Sequence, residues 1–420
     1  MNQNKKLLNL ERNLSFLLIL IFFVSSSFNL IAAPAFLEKT DIFKAGENDF
    51  ALYRIPGIVV TTKGTVLAYC EARRNSSSDW GEIEIYLRRS SDGGKTWEAP
   101  KQIAHMGERL PRSTVALKVK KVSEKEQTVN NPLAIVDRQT GAIHFLYCIN
   151  YERAFYLRSD DDGVTFSKPI EISSTFETFR PEYDCNVIAT GPAHGIQLAN
   201  GRLVVPVWLS TGAKGHGPSV TATIFSDDHG KSWQRGEIAI PDTNKWVTPN
   251  ETIIVQLADG RVMLNARSLA KDHRRIVTTS PNGATQWSEP HFDNKLLEPI
   301  CMASIVRLSL KPESDKNRIL FANPDNLARA DDKEVPGGNR DRKNLSIKLS
   351  YDEAQTWPVN KVLEADRSAY SDLAVLSDGT ILCLYERPQL LTVARFNLEW
   401  LTDGKDSLTK TKLKKSTLRK

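Results

Sequence analysis

The hydrophobic and polar residues of this 420-residue chain alternate over short runs, and long runs with the 3.6-residue period of a helix are scarce. A glycine turn followed by an apolar or β-branched run recurs, as in "TKGTVLAY", "ANGRLVVPVW" and "SDGTILCLY". These turns centre near residues 64, 141, 201, 260, 316 and 379, and the fifth lacks the glycine. Short strands separated by regularly spaced turns predict an all-β protein built from six similar units.

A second repeat, with the frame S-x-D-x-G-x-T-W, follows the first five of these turns. Its copies begin at Ser90, Ser159, Ser226, Ser280 and Ser350, and the last two are degenerate. Its Asp can accept hydrogen bonds from turn amides, its Gly permits a positive φ, and its aromatic residue packs between sheets. Two hairpins per unit, the second closed by this turn, make a four-stranded blade. The pattern therefore predicts a six-bladed β-propeller whose turn carboxylates are structural.

The chain divides into three predicted segments. Within residues 1–33, Lys5, Lys6 and Arg12 precede an apolar run and small residues, which is typical of a signal peptide, and the run is too short to span a bilayer. Residues 34–402 are predicted to form the propeller, and residues 403–420 a disordered basic tail. We expect an exported protein, periplasmic or secreted, with no stable membrane insertion after signal cleavage.

The basic composition does not indicate a nucleic-acid partner. The formal net charge is +6, but residues 1–33 carry +2 and residues 403–420 carry +5, which leaves −1 for the predicted propeller. The excess of positive charge is thus confined to the two ends of the chain.

The cysteines and histidines do not form a metal-binding pattern. The five cysteines are far apart, three of them lie in strand-like apolar runs, and none has metal-ligand spacing. We expect buried free thiols, and we expect neither a metal nor another cofactor.

Two motifs connect this fold to a known family. The repeated turn resembles the Asp box of bacterial neuraminidase (BNR) repeats, and "YRIPGIVV", residues 53–60, resembles the Y/F-R-I-P signature of sialidases. An unpaired Arg is costly to bury in so apolar a run. The resemblance covers most of the propeller and implies that Arg54 binds the carboxylate of a substrate. Asp boxes also occur in non-catalytic carbohydrate- or protein-binding propellers, which are the alternative class.

Two hairpins place chemistry-bearing residues opposite each other. Glu251 and Arg267 lie eight residues on either side of one turn aspartate, and Tyr370 and Glu386 lie eight residues on either side of another. If each hairpin is in register about its turn, the members of each pair are cross-strand neighbours. Both pairs then lie at equivalent strand ends, which converge at one mouth of a propeller.

The resemblance to sialidases assigns a role to each of these residues. Glu251 resembles the general base, Arg267 the second arginine of a carboxylate clamp, and Tyr370 the nucleophile. Glu386 resembles the residue that orients Arg54. The resemblance also implies a third clamp arginine.

The third arginine is sought in "RDRKNLSIKLS". We assign it to Arg342, with Arg340 as the competing candidate. His194, in the sialidase-like segment "GPAHGIQLANGRLVVPVW", is either a substrate contact or an incidental loop histidine.

The last segment of interest is "CEARRNSSSDWGEIEI", residues 70–85. Arg73 leaves a predicted strand and Asp79 lies in a Ser-rich loop, so both can lie over the pocket. The resemblance implies that Asp79 is the acid/base and that Arg73 contributes to substrate binding. Glu82 and Glu84 are the alternatives for Asp79.

Together these residues predict a retaining exo-α-sialidase that acts through a covalent tyrosyl intermediate. Its substrates are expected to be terminal α-linked sialic acids of glycoproteins, glycolipids and oligosaccharides. Sialic acid carries a carboxylate on its anomeric carbon, which three guanidinium groups can bind and which would repel a carboxylate nucleophile. A neutral phenol avoids that repulsion.

Overall fold

Turn residues interrupt the apolar runs every few positions, so most of the chain forms short strands. The computed structural model describes residues 33–75, 78–104, 107–330 and 340–408. The predicted signal peptide up to residue 32 and the predicted tail after residue 408 lie outside the described residues. We describe here the unit that begins at Pro34.

The strands and short helices follow in chain order. The strands are β1 (Leu37–Lys44), β2 (Leu52–Val60), β3 (Val66–Arg73), β4 (Ile83–Ser90), β5 (Lys101–Gln102), β6 (Val129–Val136), β7 (Ile143–Ile149), β8 (Arg153–Ser159), β9 (Ile170–Glu171), β10 (Val187–Thr190), β11 (Ala193–His194), β12 (Ile196–Gln197), β13 (Leu203–Ser210), β14 (Ser219–Ser226), β15 (Gln234–Ile240), β16 (Thr252–Gln256), β17 (Val262–Ala266), β18 (Arg274–Ser280), β19 (His291–Leu297), β20 (Ser304–Ser309), β21 (Arg318–Pro324), β22 (Lys343–Ser350), β23 (Val359–Arg367), β24 (Ser371–Val375), β25 (Ile381–Arg387) and β26 (Leu390–Phe396). The helices are α1 (Ser173–Glu177) and α2 (Leu398–Leu401), with a 3-10 turn at Glu47–Asp49 and a π-helical turn at Val115–Val119.

These strands form six sheets, which we call blades 1 to 6. Blade 1 is β2-β3-β4-β5, blade 4 is β16-β17-β18-β19 and blade 5 is β20-β21-β22-β23. Blade 2 contains β6 to β9 with β11 added in parallel, and blade 3 contains β10, β13, β14 and β15 with β12 added. Apolar clusters fill the spaces between neighbouring blades; Tyr69 of blade 1, for example, packs against Phe145 of blade 2. The predicted six-bladed propeller is confirmed.

Blade 6 joins the two ends of the described chain. Its order is β24-β25-β26-β1, so the first strand in the sequence supplies the outermost strand of the last sheet. Leu37 pairs with Phe396 and Lys44 with Leu390, in an antiparallel ladder with one irregularity. Ile42 and Phe43 of β1 are buried between blades 6 and 1. The strand therefore contributes both hydrogen bonds and apolar contacts that close the ring.

The Asp boxes form the turns that the sequence predicts. In the first, the amide of Gly94 donates to Ser90 Oγ (2.8 Å). The amide and hydroxyl of Thr96 donate to the carboxylate of Asp92 at 2.9 and 2.6 Å. The boxes beginning at Ser159, Ser226 and Ser350 repeat this arrangement.

The fourth box has the same length as the others but a different pattern of turn hydrogen bonds. The amide of Gly283 donates to Ser280 Oγ (3.0 Å), and Asn282 Oδ1 accepts from the amide of Thr285 (2.9 Å). These donors lie three residues after their acceptors rather than four. The Ser, Asn and Trp of this copy keep their places in the frame, but Gly283, at φ +73°, donates the bond that the following residue donates in the other boxes.

The ordered fold continues past residue 402, so the predicted end of the propeller is too early. The buried carboxylate of Asp406 accepts from Arg318 Nε (2.8 Å) and from Tyr351 Oη (2.9 Å), both in blade 5. Residues 403–408 thus pack on the propeller. Within the residues that the structure describes, no helix is long and apolar enough to cross a membrane.

A buried polar cluster lies where the inner strands meet. The carboxylate of Asp372, on β24, accepts hydrogen bonds from His194 Nδ1 (2.7 Å), Ser304 Oγ (2.9 Å) and the amide of Ile58 (2.9 Å). These donors belong to blades 2, 5 and 1. His194 is thus a partner of Asp372 in the interior. The five cysteines are also buried, and all are free thiols, as the sequence predicts.

Candidate active site

The inner strands begin, and their hairpin partners end, at the same end of the propeller. The two predicted cross-strand pairs lie there. The amide of Arg267 donates to the carbonyl of Glu251 (3.0 Å), and the amide of Glu386 donates to the carbonyl of Tyr370 (2.9 Å). Both hairpins are therefore in register about their turns. Each pair lies one position beyond the end pair of its ladder, which is Thr252 with Ala266 in one hairpin and Ser371 with Tyr385 in the other.

The phenol of Tyr370 lies between a carboxylate and a guanidinium group. Its Oη donates to Glu251 Oε1 at 2.5 Å and accepts from Arg267 Nη1 at 2.7 Å. Arg267 also donates to Oε2 of Glu251. Tyr370 is only 5% exposed, so these contacts form in a nearly dry environment. Hydrogen bonds to charged groups are stronger there than in water.

A backbone irregularity directs Arg54 into the same site. The register of β2 shifts between Arg54 and Gly57, and Ile55 has φ +57°, a strained conformation for a β-branched residue. Glu386 stabilises this bulge because its Oε1 accepts from the amide of Ile55 (3.0 Å) and from Arg54 Nε (3.1 Å). The guanidinium carbon of Arg54 lies 5.1 Å from the ring centroid of Tyr370.

A third guanidinium group approaches the tyrosine from blade 5. The guanidinium carbon of Arg342 lies 5.3 Å from the ring centroid of Tyr370, and its Nη2 donates to the carbonyl of Ile300 (2.5 Å). The amide of Arg340 donates to the carbonyl of Pro299 at 3.3 Å. Thus Arg54, Arg267 and Arg342 all lie beside one phenol.

The end of β3 contributes a fourth arginine, Arg73, and the loop that follows contributes the carboxylate of Asp79. Arg73 Nη1 lies 2.9 Å from Asp79 Oδ1, and Arg54 Nη1 lies 3.5 Å from the same oxygen. Arg73 is itself buried and also donates to Glu71 Oε2 (2.6 Å). The side chain of Asp79 is 40% exposed, so this carboxylate faces the open end of the site.

The two carboxylates that compete with Asp79 in the sequence form hydrogen bonds with other arginines. Glu82 accepts two hydrogen bonds of 2.7 Å from Arg109. Glu84 accepts from Arg74 Nε at 2.6 Å. Neither forms an ion pair with Arg54 or Arg73, so the geometry favours Asp79 over both.

The charges of the site shift the protonation of its central groups. Burial raises the pKa of the Tyr370 phenol well above its usual range, and Glu251 adds to this effect while the three arginines oppose it. Burial alone would also raise the pKa of the Asp79 carboxyl, but Arg73 and Arg54 outweigh burial and hold that pKa well below its usual range. The tyrosine is therefore neutral and Asp79 is ionised in the free protein.

Aromatic residues beside Asp79 were not predicted as part of the site. The ring of Trp80 stacks on His216 at a centroid distance of 5.2 Å and packs on Tyr151 at 4.5 Å. Burial lowers the pKa of His216 to about 4, so the imidazole is neutral at pH 7. Each of these residues reads in the sequence as an ordinary core or loop residue, and only the fold brings them together. Nothing in the local pattern identifies them.

The site offers acid–base and anion-binding chemistry. The converging arginines suit a carboxylate, and the pair of Tyr370 and Glu251 places a phenol next to a proton acceptor. Among the described residues, no group of three or more His, Cys, Asp or Glu is arranged to hold a metal ion.

The fold and the site together define a six-bladed propeller with an arginine-rich pocket at one mouth. The family model of the BNR repeat-like domain matches residues 111–383, more than half of the chain. The chain therefore belongs to the BNR repeat-like family, as the Asp boxes indicate.

Similar proteins bear the name that the sequence motifs suggest. The chain is 30% identical over 394 residues to a sialidase of Micromonospora viridifaciens, with 88% of this chain and 55% of that protein aligned. It is 29% identical over 370 residues to a sialidase of Bacteroides fragilis, with 81% and 61% aligned. The chain thus spans between half and two thirds of the length of these relatives. The structure of the Hadza microbial sialidase Hz136 matches with a TM-score of 0.69 at 26% identity, over 86% of this chain and 69% of that one.

Proposed function

We propose that this protein is a retaining exo-α-sialidase that hydrolyses terminal α-linked sialic acids of glycoconjugates through a covalent tyrosyl intermediate. The observation that carries the proposal is the phenol of Tyr370, held at 2.5 Å from a carboxylate and at 2.7 Å from a guanidinium group. The similarity to proteins named sialidases supports the same reaction.

The substrate carboxylate is expected to bind between three arginines. Arg54, Arg267 and Arg342 approach Tyr370 from blades 1, 4 and 5, so one carboxylate placed above the phenol can contact all three. Arg342 rather than Arg340 is the proposed third member because its guanidinium group lies over that ring. Glu386 keeps Arg54 in place.

The reaction begins when the phenol oxygen of Tyr370 attacks the anomeric carbon and Glu251 accepts the phenolic proton. Because burial keeps the phenol protonated, this proton transfer must accompany the attack. Asp79 is proposed to protonate the leaving oxygen and later to activate water. When the substrate carboxylate neutralises Arg54, Asp79 loses part of the field that keeps it ionised, so binding itself favours protonation of the acid.

The first test is turnover of a fluorogenic sialoside by the purified protein across about pH 4–8. The proposal expects release of the fluorophore and of free sialic acid. The absence of turnover with an intact fold would leave the non-catalytic binding propeller as the function.

A second test concerns the role of Tyr370. Attack by the phenol and then by water inverts the anomeric carbon twice, so proton NMR of the earliest product should show the α-anomer. Tyr370→Phe should lose at least about 10²-fold in kcat because it removes the nucleophilic oxygen. Its circular dichroism should match that of the wild type. Early β-anomer from the wild type would contradict the tyrosyl intermediate without contradicting sialidase activity.

A further inference from the structure

The backbone that follows Asp79 is tied to blade 2. The carbonyl of Trp80 accepts a hydrogen bond from Nη2 of Arg112, and the carbonyl of Gly81 accepts from Thr128 Oγ1 at 2.7 Å. The indole ring of Trp80 is itself buried. The position of the Asp79 carboxylate therefore depends on contacts made by a neighbouring blade.

Arg112 is a buried cation with neutral partners. It is 8% exposed, and its Nη1 donates to Thr128 Oγ1 and to Asn150 Oδ1, both at 2.8 Å. Its three direct acceptors are all neutral, and burial lowers its pKa more than the more distant carboxylates of Glu126 and Glu82 raise it. Burying a cation whose direct partners are all neutral costs free energy, so packing alone does not account for this residue.

The guanidinium group joins three segments that no shorter side chain can join. Its acceptors are the loop after Asp79, the residue before β6 and the turn between β7 and β8. A planar group with five donors makes these bonds at once, and its charge strengthens each of them. An amide in its place has fewer donors and a shorter reach.

We propose that Arg112 is a positioning residue that holds Asp79 in register with the oxygen of the leaving group. The proposal rests on the proposed sialidase function, in which Asp79 is the acid. Arg112 touches no reacting atom in this scheme and acts through the carbonyl of Trp80. Its loss should therefore affect proton donation to the leaving group and leave the chemistry of Tyr370 unchanged.

The experiment compares two substrates in Arg112→Gln. Sialyllactose has an alcohol leaving group that needs a proton, whereas p-nitrophenyl sialoside releases a stable phenolate. The ratio kcat/KM reports only the steps up to release of the aglycone. We expect kcat/KM to fall by about 10²-fold for sialyllactose, as for a misplacement of about 1 Å, and by less than about threefold for the nitrophenyl substrate.

Arg153→Gln is the matched control. It removes the same charge, but Arg153 begins β8 and pairs with the exposed Glu171. We expect wild-type values for both substrates. Equal losses of Arg112→Gln on both substrates, or no loss on either, would overturn the positioning role.

Two further outcomes are separable. If the wild type turns over neither substrate, the proposed function itself is wrong. If Arg112→Gln does not fold, Arg112→Lys is measured in the same way, since it keeps the charge but not the three-way contact. A loss confined to sialyllactose supports the proposal, and an unselective or absent loss overturns it.

Discussion

Tyr370 keeps its proton although three arginines surround it. Each guanidinium group lowers the free energy of the phenolate, but burial and the adjacent Glu251 raise it more. The free protein therefore keeps this phenol in an uncharged form, which does not repel an incoming carboxylate. In the proposed reaction, Glu251 removes the proton only as the new bond forms.

The three clamp arginines give the first prediction at the residue scale. Arg54→Ala, Arg267→Ala and Arg342→Ala should each lower kcat/KM by an amount equivalent to about 2–5 kcal/mol, because each breaks a charge-assisted pair in a desolvated site. Arg340→Ala should remain within about threefold of the wild type. Steady-state kinetics on sialyllactose measures all four.

The contrast between two variants tests the assignment of the third arginine. If Arg340→Ala is inactive and Arg342→Ala is nearly normal, the third clamp arginine is Arg340 and the assignment to Arg342 is wrong. Thermal melting of each variant provides the control, since the proposed effects act on the reaction and not on the fold.

The part of the site that lies on regular hairpins could be predicted, because hairpin register fixes which residues face each other. Glu251 and Arg267 face each other because a regular hairpin preserves its register over eight residues on each side of the turn. Arg112 and His216 could not be predicted in this way. Their partners come from other blades and irregular loops, for which single-sequence periodicity carries no information.

At the scale of the element, the Asp box is a stabilising turn rather than a chemical group. Asp161 accepts from the amide of Thr165 at 2.9 Å and from its hydroxyl at 2.5 Å, and these bonds lower its pKa to about 2. Asp161→Ala should reduce the free energy of unfolding by about 0.5–1.5 kcal/mol, because turn donors lose their acceptor. Urea unfolding measures this loss.

The neighbouring Asp160 provides the matched control within the same turn. It pairs with Arg158 on the surface and accepts no turn amide among the described contacts. Asp160→Ala should change the free energy of unfolding by less than about 0.5 kcal/mol. Both variants should retain the kcat of the wild type, and a selective loss of kcat in Asp161→Ala would contradict the structural role of the box.

The strand pattern predicted most elements, but not all of their partners. Repeated turns defined six blades because each hairpin is local in sequence. The pairing of β1 with β26 joins strands at opposite ends of the chain, so no neighbouring residue signals it. The eight-residue frame did not predict the shifted bond of the fourth box, in which Gly283 rather than Ala284 donates to Ser280.

At the scale of the whole molecule, the buried polar cluster around Asp372 links several blades through one carboxylate. Burial lowers the pKa of His194, but Asp372 outweighs burial, so the net pKa of His194 is raised. The imidazolium contribution to stability is therefore fully present below the unfolded pKa of about 6.5. It is lost as the pH rises through the folded pKa.

This sign gives a pH-dependent prediction. The free energy of unfolding of the wild type should exceed that of His194→Gln by about 1–3 kcal/mol near pH 5.5, and the difference should shrink toward about pH 9. Urea titrations at both pH values measure it, with the exposed His291→Gln as the control. A difference that grows with pH would contradict an imidazolium paired with Asp372.

Closure of the ring gives the last prediction. Removal of residues 33–45 should lower the free energy of unfolding by at least about 3 kcal/mol, because Ile42 and Phe43 lose their burial and β26 loses its partner. Removal of residues 409–420, for which the sequence predicts no role in the fold, should leave the melting temperature unchanged. Differential scanning calorimetry compares the two; equal effects would contradict closure by β1.

The pairing of β1 with β26 also constrains the order of events during synthesis. The ribosome releases β26 about 350 residues after β1, so the nascent chain cannot complete the sheet of blade 6 until β26 has emerged. Until then β1 lacks its native partner, because the strand edge with which it pairs, that of β26, has not been synthesised.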